Sequence, residues 1–285
     1  MNGVPEHFED PVDRAEFRVA SHRSDVELYR AHIVRHTFDA HAHAAYGIGT
    51  IESGVERFRC QGSEFLAPPH SLVLMNPDVL HTGRAETELG WRYQNIYLDP
   101  ETLLALTGER EWWFAQTVVD SDRQGAQRLS CMLKALWQYR DEPLAFDGLL
   151  YQLVNAVRRH ASVSVRPRGA AHRLSPVLDY LNAHLSEKVT LEQLASVVDL
   201  SPFHFLRQFQ VQYHVTPHQM LMALRLRAAK RLLAVGVAPI EVAAQLGLSD
   251  QSHLTRTFLS RYGVTPARYQ RQLGIPIAPR RSPRR

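Results

Sequence analysis

From about residue 25 to residue 98, apolar and polar positions alternate in short runs, VELYRAHIV, YGIGTIESG, SLVLMN and WRYQNIYLD, separated by Gly and Pro. A period of two sends successive side chains to opposite faces of a strand, so this region predicts an antiparallel sheet or barrel. Past residue 100 the period becomes helical, in ETLLALTG (101–108), RLSCMLKALWQYR (128–140) and PLAFDGLLYQLVNAVRRH (143–160). Leu129, Met132, Leu133, Leu136 and Trp137 fall on one stripe, and Leu149, Leu150, Leu153, Val154 and Val157 on another. Two amphipathic helices joined by a short DEP turn must bury those stripes against the barrel, against each other or against a second subunit. The following ASVSVRPRGAA (161–171) has no period and reads as a linker.

After the linker every periodic segment is helical. Ser175 and Pro176 open a helix to about 185, and Thr190 with Gln193 spells a capping box ahead of a helix to 198. Ser201, followed by Pro202, caps a helix that runs to Tyr213, and a longer helix occupies Pro217 to Ala234. The scheme then recurs, with a helix from Pro239 to Leu246, a turn at Gly247, and a helix capped by Ser249 that ends near Tyr262.

The recurrence is literal. FLRQFQVQYHVTPHQM (205–220) returns 49 positions later as LTRTFLSRYGVTPARY (254–269), placing Arg207 on Arg256, Phe209 on Phe258 and Val215-Thr216-Pro217 on Val264-Thr265-Pro266. Each copy is a helix, a tight turn and a capped second helix. Small Ala195 and Ala243 allow close approach, Leu200 and Leu248 plug the turn, and Phe209 and Phe258 point inward. Phe203, Leu206 and Arg207 in the first copy, and Gln251, Ser252, Thr255 and Arg256 in the second, are expected near the N-terminal end of the outward face. A recognition helix presents its side chains to base edges from that position. A connecting helix of 18 residues spans about 27 Å, which with its turns sets the two copies near one DNA turn of about 34 Å.

Charge supports that partner. Up to residue 171 the chain carries 18 Lys and Arg against 23 Asp and Glu, and after it 15 against 6. The second part therefore suits a polyanion and the first part something else. No apolar run approaches the length of a membrane span, and residues 1–30 contain no apolar core of a secretory signal. The expected compartment is the cytoplasm, with Cys60 and Cys131 reduced and buried.

Residues 172–273 resemble the DNA-binding region of the AraC-type transcription regulators. The resemblance lies in L-A-x-x-x-x-L-S-x-x-x-x-x-R-x-F from Leu194 to Phe209, R-x-x-x-A-x-x-L-L from Arg225 to Leu233, and A-x-x-L-G-L-S-D-x-S-H-x-x-R-x-F-x-x-x-Y-G-V-T-P-x-x-Y from Ala243 to Tyr269. It implies binding of double-stranded promoter DNA through both copies. In effector-sensing members a cupin-like barrel with dimerising helices comes first, which is the order read here.

The expected class is therefore α+β: a cupin-like β-barrel with accessory helices, then an all-α domain of two helix-turn-helix units on a long helix. Boundaries fall at 1–161 for the effector domain, 162–171 for the linker, 172–275 for the DNA-binding domain and 276–285 for a basic disordered tail. Within the barrel, His41 and His43 alternate and His81 arrives on a later strand, while the usual cupin Glu falls at about Gly47. Three readings of these histidines stay open: a divalent metal site with an open position, effector contacts without metal, or structural residues. Tyr46, Trp91, Tyr93 and Asn95 are expected to line the same cavity, with two of them able to serve only as barrel filling.

The function expected is an effector-responsive, sequence-specific transcription regulator with no catalytic residues and no required cofactor. A homodimer and contact with RNA polymerase are its expected further associations. The alternative is a metal-dependent cupin enzyme fused to a DNA-binding module, with water on the histidine-bound metal.

Overall fold

The computed structural model describes residue 8, residues 10–163 and residues 174–275, so residues 164–171 of the expected linker and the basic tail lie outside the described residues, while Ser162, expected in the linker, ends a short strand. Nine strands come first: β1 (Arg14–Ala20), β2 (Arg23–Ile33), β3 (Phe38–His41), β4 (Tyr46–Gly54), β5 (Glu56–Cys60), β6 (Ser63–Ala67), β7 (Leu72–Met75), β8 (His81–Ala85) and β9 (Trp91–Leu98). Helix α1 (Pro100–Thr107), the short strands β10 (Trp113–Phe114) and β11 (Val118–Val119), helices α2 (Arg123–Gln138) and α3 (Pro143–Val157), and β12 (Ala161–Ser162) complete this half.

The strands form two antiparallel sheets, one ordered β1-β2-β9-β4-β7-β11 and the other β3-β8-β5-β6, with β10 and β12 paired separately. The larger sheet uses both faces. Tyr46, Ile48, Leu72, Leu74, Ile96 and Leu98 form one core with Leu129, Leu133 and Leu136 of α2 and Leu150, Leu153 and Val154 of α3. The stripes read from the sequence are thus spent on the barrel and on each other. Side chains one position out of phase, such as Ile51, Tyr93 and Tyr97, belong to a different core between the sheets. Gly49 is dictated by this arrangement, because a Cβ there would lie 1.4 Å from Asn95 Oδ1 on the neighbouring strand. Cys60 is buried as expected, whereas Cys131 is exposed on the solvent side of α2.

The second half contains α4 (Ser175–Ala183), α5 (Leu191–Ser196), α6 (Pro202–Tyr213), α7 (Pro217–Ala234), α8 (Pro239–Gln245), α9 (Gln251–Tyr262) and α10 (Pro266–Gln272). The capping box at Thr190 forms, and a second one forms at Thr216 with Gln219 ahead of α7. Two caps differ from expectation. Leu174 rather than Ser175 flanks α4 without a side-chain cap, and Asp250 rather than Ser249 caps α9 by accepting from His253 N at 2.7 Å. Ser249 Oγ instead meets His253 Nδ1 at 3.2 Å, so the carboxylate, the stronger acceptor, takes the helix amide. Helix α10 went unread because its seven residues show too little periodicity.

The two repeats are not equivalent in their cores. The first encloses its own cluster, including Leu194, Phe205, Phe209 and Leu221. The second shares one continuous cluster with the barrel, running from Phe17, Phe38 and Tyr97 through Leu226 and Leu233 to Leu254, Phe258, Tyr262 and Tyr269. Gly263 ends α9 with φ of 70°, where a Cβ would approach Phe8 to 2.4 Å. The same position in the first copy is His214, also left-handed at φ 58°.

Polar contacts pin this junction. Lys230 Nζ of α7 lies 2.5 Å from Glu27 Oε1 on β2, and Tyr269 OH donates to Glu27 Oε2 at 2.7 Å. The ammonium also sits 4.7–5.6 Å from the ring centres of Phe17, Tyr97, Tyr262 and Tyr269. Arg227 pairs with Asp78, and the Gln272 amide closes the edge of β1, accepting from Phe17 N at 2.9 Å and donating to Ala15 O at 3.3 Å. Of the four cations on α7, Arg225 turns inward to the Leu185 and Glu187 carbonyls, two bind the barrel, and Arg231 is exposed.

Removing one partner of a buried ion pair strands the other charge. Glu27→Ala is expected to cost about 3 kcal/mol and to split the calorimetric unfolding peak as the halves uncouple, while Glu27→Gln with Lys230→Met costs far less. A single peak and an unchanged midpoint for Glu27→Ala would contradict the junction described here.

Candidate functional site in the barrel and on the recognition helices

Between the two sheets lies a cavity of about 40 Å³. Its walls come from β4, β7 and β9 on one side and from β3, β5 and β8 on the other, and Arg261 and Tyr262 at the end of α9 also line it. The barrel chamber is therefore closed in part by the second helix of the second repeat.

Three of its groups are imidazoles. His41 and His81 are register partners on β3 and β8, with ring centres 4.3 Å apart, and His43, just past β3, lies 5.1 Å and 5.4 Å from them. One ring nitrogen from each falls within 4.8 Å of the others. Nδ1 of His41 faces Asp39 O at 2.7 Å and Nδ1 of His81 faces Val79 O at 3.0 Å. A carbonyl only accepts, so Nδ1 carries the proton and Nε2 keeps its lone pair. Burial lowers all three pKa values, those of His41 and His43 well below the usual range, where neighbouring imidazoles and Lys230, and for His41 also Arg261, add to the effect. Neutral imidazoles oriented through Nδ1 fit the donor set of a divalent cation. The two cationic side chains oppose a second positive charge there.

Of the four further residues expected in the cavity, Tyr93 and Asn95 line it. Tyr29 and Tyr97 join them; Tyr97 lies 4.4 Å from His43 between ring centres, and Tyr29 OH is 3.4 Å from Tyr93 OH. Tyr46 does not. It shares the phase of Ile48, faces α2 and α3, and donates its hydroxyl to Trp112 O at 2.9 Å. Trp91 is fully buried behind Tyr93, stacked at 5.6 Å, and serves as backing.

Sequence reasoning overlooked Glu56. Its carboxyl sits deep in the protein but opens onto the cavity, with Oε1 about 3.0 Å from where a Cβ of Gly83 would lie, and it forms no hydrogen bond or ion pair among the described residues. Burial pushes its pKa up to about 8. One signal was present: at the head of β5 its side chain shares the phase of the buried Phe58 and Cys60.

On the helical half, Phe203 is 77% exposed and Arg207 is exposed on α6, and Gln251 and Arg256 are exposed with Ser252 half-exposed on α9. Two expected readers are displaced. Leu206 turns into an apolar groove with Leu181, Leu194 and Leu221, and Thr255 is buried with its hydroxyl donating to Gln251 O at 2.8 Å. Each lies one helical step toward the core from its exposed neighbour, Arg207 or Arg256. The Asp250 cap also puts negative charge at the start of α9, which weighs against a phosphate there.

Comparison with known proteins agrees with this division. Residues 23–154 match the family model described as AraC-like ligand binding domain, and residues 194–272 match one described as helix-turn-helix domain. A Bacillus subtilis (strain 168) protein described as an uncharacterized HTH-type transcriptional regulator, YbfI, is 32% identical over 239 residues, covering 80% of this chain and 86% of the relative. The crystal structure of an apo ToxT variant from Vibrio cholerae strain SCE256 covers 87% of this chain and 98% of its own, with a TM-score of 0.56 at 11% identity. Wild-type ToxT from the same strain, bound to an unsaturated fatty acid, aligns with a TM-score of 0.52 at 10% identity, covering 94% of this chain and 99% of its own. These structural likenesses show the shared fold.

Glu56 gives this site a pH signature. The folded protein holds the Glu56 proton to about pH 8, whereas the unfolded chain releases it near 4.5. Between those values the unfolded state binds fewer protons, so the group's ionisation removes stability as pH rises. Glu56→Gln is expected to gain on the parent by a few kcal/mol between about pH 5 and pH 8.5 in urea unfolding. A difference independent of pH would refute a buried, proton-holding carboxyl.

Proposed function

The chain belongs to the AraC-type transcription regulators, and from that premise we propose that its barrel cavity is the effector site and that effector occupancy acts on DNA binding through α9. The observation that carries this reading is the shared wall. Tyr262 stands 6.1 Å from His41 and 6.0 Å from His43 between ring centres, while the same helix exposes Gln251 at its other end and Arg256 midway along it. A molecule entering the chamber meets the helix without an intermediary.

The size of the chamber supports the same coupling. A cavity of about 40 Å³ is far smaller than the ~150 Å³ that accommodates a benzene-sized guest. An effector of ordinary metabolite size pushes the Tyr262 ring aside on entering, and so shifts the population of positions that the second module takes against the barrel. The exposed faces of α6 and α9 then meet promoter DNA, with Arg207 and Arg256 placed to pair with base edges or phosphates. Cytoplasmic location, a homodimer and engagement of RNA polymerase complete the proposal. Leu144 at 90% and Tyr151 at 60% exposure on α3 supply an apolar surface for the homodimer.

The fused-enzyme alternative has no such support. The Bacillus subtilis relative that covers 80% of this chain is described as a transcriptional regulator, and the histidines serve here as contacts for effector hydroxyl or amine groups rather than as a catalytic metal site. Protein equilibrated with zinc and desalted is expected to retain fewer than about one ion per ten chains. Stoichiometric zinc that disappears in His43→Ala would favour the metal reading instead.

DNA binding is tested by footprinting on the chain's own promoter. Arg256→Ala is expected to weaken protection by roughly 10- to 100-fold, and Phe203→Ala by less, with the helical circular dichroism unchanged. Unaltered protection by Arg256→Ala would remove α9 from the reading surface.

A further inference from the structure

The cavity holds one charged group that the barrel neither pairs nor needs. Arg261 is only 8% exposed, its Nη1 has no hydrogen-bond partner, and among the described residues it forms no ion pair. Asp39 on β3 is the acidic group that it feels most, but that residue is exposed and beyond ion-pair distance. A guanidinium is always protonated, carries its donors in a planar fork and is costly to bury without a partner. An unpaired one facing a chamber marks a missing anion, and the planar fork fits a carboxylate best.

The rest of the chamber has the opposite character. His41 and His81 turn Nε2 lone pairs away from their Nδ1 bonds, and Glu56 offers a carboxyl oxygen that no side chain among the described residues engages. These groups ask for donors. Tyr29, Tyr93 and Tyr97 form the aromatic wall against Glu56.

We propose that the effector is a small carboxylic acid bearing a hydroxyl or amine, its carboxylate held by Arg261 and its donor group by Glu56. The assignment rests on the reading of the cavity as the effector site and gives that site a ligand class. Arg261 belongs to the second recognition helix, so the acid group contacts the DNA-reading element itself. A hydrocarbon leaves Arg261 bare and a neutral sugar leaves its charge uncompensated, which is why the structure favours an acid over either.

The test uses the full chain and defined probes, namely acetate, lactate and 4-hydroxybenzoate, each beside its amide at matched ionic strength, read by thermal shift and calorimetry. At least one hydroxy acid is expected to bind about tenfold or more tighter than its amide. Arg261→Gln is expected to abolish that preference and Arg261→Lys to keep part of it. Glu56→Leu, which removes the acceptor, is expected to weaken the hydroxy acids but not acetate. The proposal is overturned if acids and amides bind alike, if Arg261→Gln binds the acids as the parent does, or if no acid binds. Val73→Phe, which fills the chamber wall, separates this failure from that of the underlying reading. If amides or neutral polyols bind the parent and Val73→Phe blocks them, the cavity reading stands and the acid falls. If bound probes ignore Val73→Phe, the cavity reading falls as well.

Discussion

One ammonium group sets the geometry of this protein. Lys230 Nζ leaves the long helix of the DNA-binding half and enters a cage of Phe17, Tyr97, Tyr262 and Tyr269, where Glu27 neutralises it. Little solvent reaches either partner, with side chains 15% and 13% exposed. The attraction is therefore screened weakly, and the desolvation cost is offset by the rings and by the Tyr269 hydroxyl. Because two of the cage rings are contributed by α9 and α10, this contact fixes where the second module sits and hence what closes the barrel.

Much of this was legible in the sequence because it rests on periodicity and repetition. The spacing of FLRQF and LTRTF, the Thr-Pro pairs ahead of α7 and α10, and the apolar stripes of α2 and α3 all correspond to observed elements. Local rules failed where two acceptors competed or where phase was counted from the wrong residue. Asp250 displaced Ser249 as a cap because a carboxylate binds a helix amide more strongly than a hydroxyl. Tyr46 was misplaced because its strand begins on the helix-facing phase, opposite to the phase that carries Gly47 and Gly49.

The cavity was legible only in part, for a different reason. His41, His43 and His81 announce themselves through spacing, but Glu56, Tyr29 and Arg261 come from segments with no common motif. Arg261 is 205 positions from Glu56 in the chain and shares a wall with it only because the second module docks on the barrel. No pattern within a single element can report a contact created by two domains meeting. Thr255 and Leu206 failed more simply, as one step around a helix separates the exposed arginine from a neighbour that packs inward.

The single apolar cluster that runs from β1 through α7 to α10 also limits how this architecture can be rearranged. Sensor and reader are commonly treated as interchangeable parts joined by a tether, yet here the reader supplies part of the sensor's interior wall. A chimera that grafts this barrel onto foreign helices inherits an open chamber and an orphaned Glu27, unless the incoming helices bring their own equivalents of Lys230, Tyr262 and Tyr269. Descent with altered ligand preference is thereby constrained, since changes on the barrel side must remain compatible with a surface already committed to nucleic acid on its far side.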